Sequence, residues 1–357
     1  MELFGRLGDF WISFGWLIIL GTVSMAFIGI FKRAIMKSNT LSVLQYLILW
    51  YAMTTALFGA VYIALWGFTL PQLLPGFFRT VLAGAFVNVG IQFANAKAAS
   101  LDAGEVSLTA PLQAMTPGLI TLLALTLGEF PSALGVTGII IMASGSWILM
   151  FQKTPQGTYE YLGPIRELKY LWLRNATGSV QASGVRSVNS GKALVVRLAL
   201  LSASLGTFGL LMDGLFTRRG ITLQGLTLGA LIFTAIFTAS YAVWYILRPD
   251  ATPEQKAKAV PYFIAYPGII LFLAASIAWI LHILLVNPAY THTYVAYVGT
   301  LKRFSILMSV VLGNIIFREQ DFKKRFWASV LIIGGAILIS MDDLPQRLSA
   351  KIELFGF

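Results

Sequence analysis

The sequence predicts an all-α membrane protein with ten transmembrane helices arranged as two inverted five-helix repeats. Three observations predict it. The 357 residues are 57% hydrophobic and only 11% charged, where a soluble domain has about 25% charged residues, and the mean hydropathy is +0.77. The apolar residues gather into ten runs, most of them near the roughly 20 residues that cross a hydrocarbon core. One long polar segment divides the runs five and five. A shift of 190 residues then lays Gly145 on Gly335 and Gly128-Glu129 on Arg318-Glu319. An odd number of spans per repeat turns the second copy over. Inverted repeats around a central site are the architecture of many secondary transporters.

The runs cover 11–31, 41–67, 77–96, 105–127, 131–151, 194–216, 225–247, 261–286, 292–317 and 322–341. The first is too long for a signal-peptide core, and no small-residue cleavage site follows it, so it is expected to remain as a span. The first repeat is then 1–151, the polar linker 152–192 and the second repeat 193–357. Within the linker, YEYLGPIRELKYLWLR has the pattern of an amphipathic helix lying on a membrane surface. NATGSVQASGVRSVNSG is Ser/Gly-rich and reads as flexible. Glu129 and Glu319 each sit between two long spans, just before a helix start at Pro131 or Phe322. A carboxylate beside a helix N-terminus is favoured by the dipole and the unpaired amides there, which makes both structural helix-end acids.

Polar residues inside the spans mark the candidate site. In the third span Asn88, Gln92 and Asn95 recur at i, i+4 and i+7 and share one face. Lipid cannot satisfy three amides, so that face turns into the bundle, either to bond a neighbouring helix or to line a cavity. The fourth span carries Pro111 and Pro117 with Gln113 and Thr116 between them. Proline frees carbonyls, and a broken helix at membrane depth often lines a transport cavity. Asp213 precedes Arg218 and Arg219 by one to two turns, which fits an interfacial ion pair, a partner for Lys302 or a proton carrier. His282 in the eighth span is either a satisfied polar group or a protonation site. The ninth span, HTYVAYVGTLKRFSILMSVVLGNIIF, holds Lys302 and Arg303 near its centre. Each costs about 2.5–3.5 kcal/mol there on insertion scales, and both are far from an end for snorkelling. Adjacent helical residues diverge by about 100°, so one cation faces a cavity while the other meets a neighbouring helix. Ser305 and Ser309 extend the Lys302 face. Tyr294 and Tyr297 are candidates for an aromatic gate. Together these residues point to an anion-binding cavity.

Other function classes are excluded or weakened. Without cysteine there is no disulfide or thiol nucleophile, and two distant histidines, His282 and His292, make no zinc site. The net charge of +11 falls mostly between apolar runs, as topology signals and lipid headgroup contacts rather than a nucleic-acid surface. Ser190-Gly191-Lys192 lacks the upstream glycine and spacing of a P-loop, and no nucleophile elbow is present. No enzyme, cofactor or metal is expected. Transport without an ATP site must be secondary, so the expectation is alternating access to a small anionic substrate, phosphorylated ones included. The alternatives are an exporter of amino acids or amphipathic metabolites, a flippase of a lipid-linked phosphate, and a non-transporting membrane scaffold.

Leu127-Gly128-Glu129 with the later Gly145, and the second-half copy FREQDFKKRFWASVLIIGGAILIS, carry a resemblance over nearly the whole chain. The chain resembles the drug/metabolite transporter superfamily in its ten-helix, EamA-like branch. That resemblance implies a transporter of the five-plus-five kind in a bacterial cell inner membrane, with both termini in the cytoplasm. Two segments also resemble the plastid triose-phosphate translocators. Thr291-His292 preceding Leu301-Lys302-Arg303 matches the pattern whose Lys-Arg pair grips substrate phosphate. Val106-Ser107-Leu108-Thr109 through Thr116-Pro117 matches the fourth helix, but Gln113 stands where that family has lysine and Thr116 where it has glutamate. One of three phosphate-gripping cations is therefore missing, which points to a less charged anion. Charge disagrees with the implied orientation. The terminus-side segments hold six cations (Arg6, Arg79, Arg218, Arg219, Arg347 and Lys351) against seventeen on the other side, so the positive-inside rule puts both termini outside.

Overall fold

Residues 16–101, 119, 132–150, 152–153, 159–160, 185–220, 222–288, 302, 304–318 and 321–340 are described by a computed structural model of the chain. The described residues form ten helices: α1 (Trp16–Lys37), α2 (Val43–Trp66), α3 (Phe77–Ser100), α4 (Ala133–Met150), α5 (Val185–Gly220), α6 (Leu223–Leu247), α7 (Pro253–Ile264), α8 (Gly268–Val286), α9 (Phe304–Phe317) and α10 (Phe322–Ser340). A two-residue antiparallel pair, Gln152–Lys153 with Tyr159–Glu160, lies in the linker. Among the described residues, α1, α2, α3, α6 and α8 are long and apolar enough to cross a membrane, while α4, α9 and the middle of α5 are shorter apolar helices.

Local chemistry explains the helix starts. Ser42 caps α2 and Gln45 reaches back to the Ser42 amide, the reciprocal bonding of a capping box. Thr252 and Gln255 repeat the device at α7, with Pro253 at the first helical position, where its missing N–H has no partner to lose. Thr222 caps α6 through the Gly225 amide. In α7 the exposed pair Glu254 and Lys258 closes at 2.5 Å, and that hydrogen bond holds the Glu254 carboxyl below its ordinary value.

Three boundaries differ from expectation. α1 runs to Lys37, past the charges that end its apolar run, because Lys32 and Arg33 turn inward at 9% and 7% exposure. α5 begins at Val185, inside the segment read as linker. The eighth apolar run is two helices, with the surface helix α7 ending before α8 begins.

Polarity is distributed inside out. Phe86, Ile140, Ile315 and Trp327 are each at least 60% exposed, an aggregation hazard in water and a lipid-contact face in a bilayer. Hydroxyls instead turn inward: Thr54 of α2 donates to Ser276 of α8 across the helix interface at 2.9 Å, the kind of contact that joins membrane helices.

The principal helix pairs are α4 with α10, α3 with α5, α2 with α6, and α1 with α8 and α9. The seam between α4 and α10 is built from small residues. A Cβ on Gly138 would sit 2.7 Å from the Gly335 oxygen, and one on Gly145 would sit 2.7 Å from the Ala328 oxygen. As one helix ascends the other descends, so the two are antiparallel.

Arg33 ties α1 to the end of α3. Its guanidinium donates to the carbonyls of Ala99 at 2.6 Å and Leu101 at 2.7 Å, which the end of a helix leaves without intrahelical partners. Each hydrogen bond to a charged group contributes about 1.5–3 kcal/mol. Arg33→Gln is therefore expected to lower stability by about 3 kcal/mol in a denaturant titration. Lys256→Gln, at an exposed position, is expected to change it by under about 0.5 kcal/mol.

Candidate functional site

Lys302 is helical, half-buried, and one turn before Ser305 in α9. Ser305 donates to the Lys302 carbonyl at 2.6 Å and lies 3.8 Å from the Met25 sulfur of α1. The Lys302 charge acts on Asp213 of α5 and on His282 of α8, so three helices bring one cation, one carboxylate and one imidazole together. His282 is 6% exposed. Its Nδ1 lies 3.0 Å from the Gly21 carbonyl of α1, which can only accept, so Nδ1 carries the proton and Nε2 is left to face another group. Glycine at position 21 permits that bond: a side chain there would collide with Val286 and push α1 from α8.

The trio sits off centre. His282 is about one turn from the α8 end at Val286, and Asp213 about two turns from the α5 end at Gly220. On the same side Arg219 donates to the Gly76 carbonyl at 3.2 Å and its own carbonyl accepts from Leu74 at 3.2 Å, which fastens the turn between α2 and α3. Gly76 has φ +83°, a left-handed conformation that favours glycine.

Asn88 of α3 donates to the Gly84 carbonyl at 3.0 Å and faces Gly209 of α5, one turn from Asp213. Gln92 is buried and Asn95 half-buried. Arg303, Gln113, Thr116, Tyr294, Tyr297, Glu129 and Glu319 lie outside the described residues. Among the described residues no group of three or more His, Asp or Glu could hold a metal ion.

Sequence reasoning missed a second polar cluster. Lys32 of α1, Tyr46, Trp50 and Tyr51 of α2 and Trp279 of α8 meet in the interior. The signal for it was Phe31-Lys32-Arg33, a basic pair closing an apolar run as Lys302-Arg303 interrupts another.

No family model and no curated protein matches the chain. One solved chain, described only as the crystal structure of a protein, is similar at 16% identity and a TM-score of 0.49, covering 96% of this chain and 100% of that one. At that distance the likeness carries no argument about fold or function.

Proposed function

We propose that the protein is a secondary transporter of small anions, working by alternating access between two inverted five-span halves, of the drug/metabolite transporter kind. The observation that carries the function is the Lys302 charge held among apolar helices, beside Asp213 and His282. A cation inside a membrane bundle faces its interior or a water-filled cavity and marks a substrate or ion path. Asp213 and His282 are then the groups able to exchange a proton as the anion comes and goes.

The helix pairings support the inverted halves. Adding 190 to Gly138, Met142 and Gly145 gives Ala328, Ile332 and Gly335. Gly145 lies against Ala328 and Ile332, and Gly335 against Gly138 and Met142, so the shift exchanges the two contacts. An antiparallel pair that exchanges in this way has its twofold axis perpendicular to both helices, in the membrane plane, as inverted repeats require. Exchanging the halves also carries the α3–α5 pairing onto α8–α1 and returns α2–α6 to itself. In this arrangement the cation-rich face bearing Lys37, Lys256, Lys258 and Lys323 is cytoplasmic by the positive-inside rule, in a bacterial inner membrane.

The nearness of Asp213 to Lys302 also favours a second reading, an internal ion pair that holds α5 to α9 in a protein that transports nothing. Exchange in proteoliposomes separates the two. Vesicles loaded with inorganic phosphate or phenyl phosphate are expected to take up labelled phosphate from outside, and vesicles loaded with chloride to take up far less. Folded protein that supports no more uptake than protein-free vesicles would overturn the transport reading.

A further inference from the structure

The interior between α1, α2 and α8 holds four orphaned donors. The hydroxyls of Tyr46 and Tyr51 and the indole N–H groups of Trp50 and Trp279 are buried and have no hydrogen-bond partner among the described residues. Their rings are contiguous: Trp50 lies 4.6 Å from Tyr51, 5.6 Å from Tyr46 and 5.6 Å from Trp279 between centroids. The Lys32 amine sits 5.8 Å from the Trp50 ring centre at 9% exposure and meets no carboxylate among the described residues.

Packing alone does not account for this composition. A buried donor without a partner is costly, and phenylalanine would fill the same space without that cost. The adjacent Tyr241 shows the ordinary arrangement, its hydroxyl donating to the Val89 carbonyl at 2.6 Å. The orphans share one chemistry. Indole N–H groups only donate, phenol hydroxyls donate readily, and the single charge is positive. What completes the set must bring acceptor oxygens and negative charge.

We propose that Lys32, Tyr46, Trp50, Tyr51 and Trp279 form a second anion site, which takes a carboxylate or phosphate head. The head sits on the Lys32 amine and the orphaned donors. The site is continuous with the first. Trp279 lies 6.3 Å from the His282 ring, and His282 feels Lys302. Along α1, Lys32 is about 16 Å from Gly21, toward the opposite face of the bundle. An anion would thus have one cationic station near each face, joined by aromatic rings.

Calorimetric titration of the purified full chain in detergent tests this without requiring transport. Phenyl phosphate and phenylacetate are the probes, and benzyl alcohol is the uncharged control. One or both anions are expected to bind, and the alcohol at least about tenfold more weakly. Lys32→Met is expected to weaken the anions by about tenfold or more, while Lys258→Gln on the surface leaves them unchanged. Tyr51→Phe keeps the ring and removes an orphaned hydroxyl. It is expected to raise the Tm of the ligand-free protein while weakening the anion, a combination that a merely structural hydroxyl does not give. Absent binding, equal binding of the alcohol, an unaltered Lys32→Met affinity, or a Tyr51→Phe that loses Tm and keeps affinity would each overturn the site. Binding without exchange in vesicles would leave the site standing and sink the transporter reading instead.

Discussion

Lys302→Gln is expected to reduce phosphate exchange to the protein-free background, and Lys302→Gln/Asp213→Asn is expected to stay there. The two variants differ in stability. Lys302 acts electrostatically on Asp213, so neutralising the lysine alone leaves a carboxylate among apolar helices without that charge. Removing one partner of a buried pair costs about 3–5 kcal/mol. Both residues are only half-buried, so the expected loss falls below that range, at about 1–2 kcal/mol. Neutralising Asp213 as well removes the stranded charge and should recover most of that loss. If the pair merely held helices together, the double variant would regain whatever function the protein has along with its stability. If Lys302 binds the transported anion, stability returns and exchange does not. Measuring both quantities on both variants keeps the test open even if the single variant unfolds. Exchange at the wild-type rate in the double variant would remove Lys302 from the transport path.

The helices were legible in the sequence because a bilayer demands about 20 apolar residues per crossing, and most boundaries fall within a few residues of the apolar runs. The misplaced ones have separate causes. Lys32 and Arg33 look like the end of a span because free charges belong at an interface. Arg33, however, is satisfied by the carbonyls at the end of α3, a partner 66 residues away that no local pattern reveals. The eighth apolar run took in only the last turn of α7, because Pro261–Ile264 continue the apolar pattern into α8, and the helix start spelled by Thr252, Pro253 and Gln255 lay upstream of it. The site was legible where polarity was unusual for its surroundings. Lys302, Asp213 and His282 stood out as charges or imidazole in apolar segments, and they share one electrostatic neighbourhood. Of the amides of α3 read as one face turned into the bundle, Asn88 lies against α5 while bonding the Gly84 carbonyl of its own helix. The aromatic cluster was invisible, since Tyr46, Trp50 and Tyr51 resemble any apolar core until their unbonded donors are seen.

Gly145→Val and Gly335→Val are expected to destabilise the protein by similar amounts, about 1–3 kcal/mol each, as inserted core carbons do. A Cβ at Gly145 would lie 2.7 Å from the Ala328 oxygen and 2.9 Å from the Ile332 side chain; at Gly335 it would lie 2.5 Å from the Gly138 oxygen and 2.7 Å from the Met142 amide. Backbone is the obstacle in both cases, so the helices must part rather than a side chain rotate. Gly334 is the internal control. Nothing lies within 4 Å of its Cβ position, and Gly→Ala in a helix interior gains up to about 1 kcal/mol. Gly334→Ala should therefore stabilise while its neighbour's substitution destabilises. The two seam positions lie about 7 Å apart along the helices and each parts the same helix pair, so the double variant should cost less than the sum of the two. Near-equality at two positions 190 residues apart is what a twofold relation between the halves requires. Costs that differ by more than about 2 kcal/mol, beyond the scatter of equivalent core sites, would mean that the seam is shared by accident of composition and not by repetition of one unit.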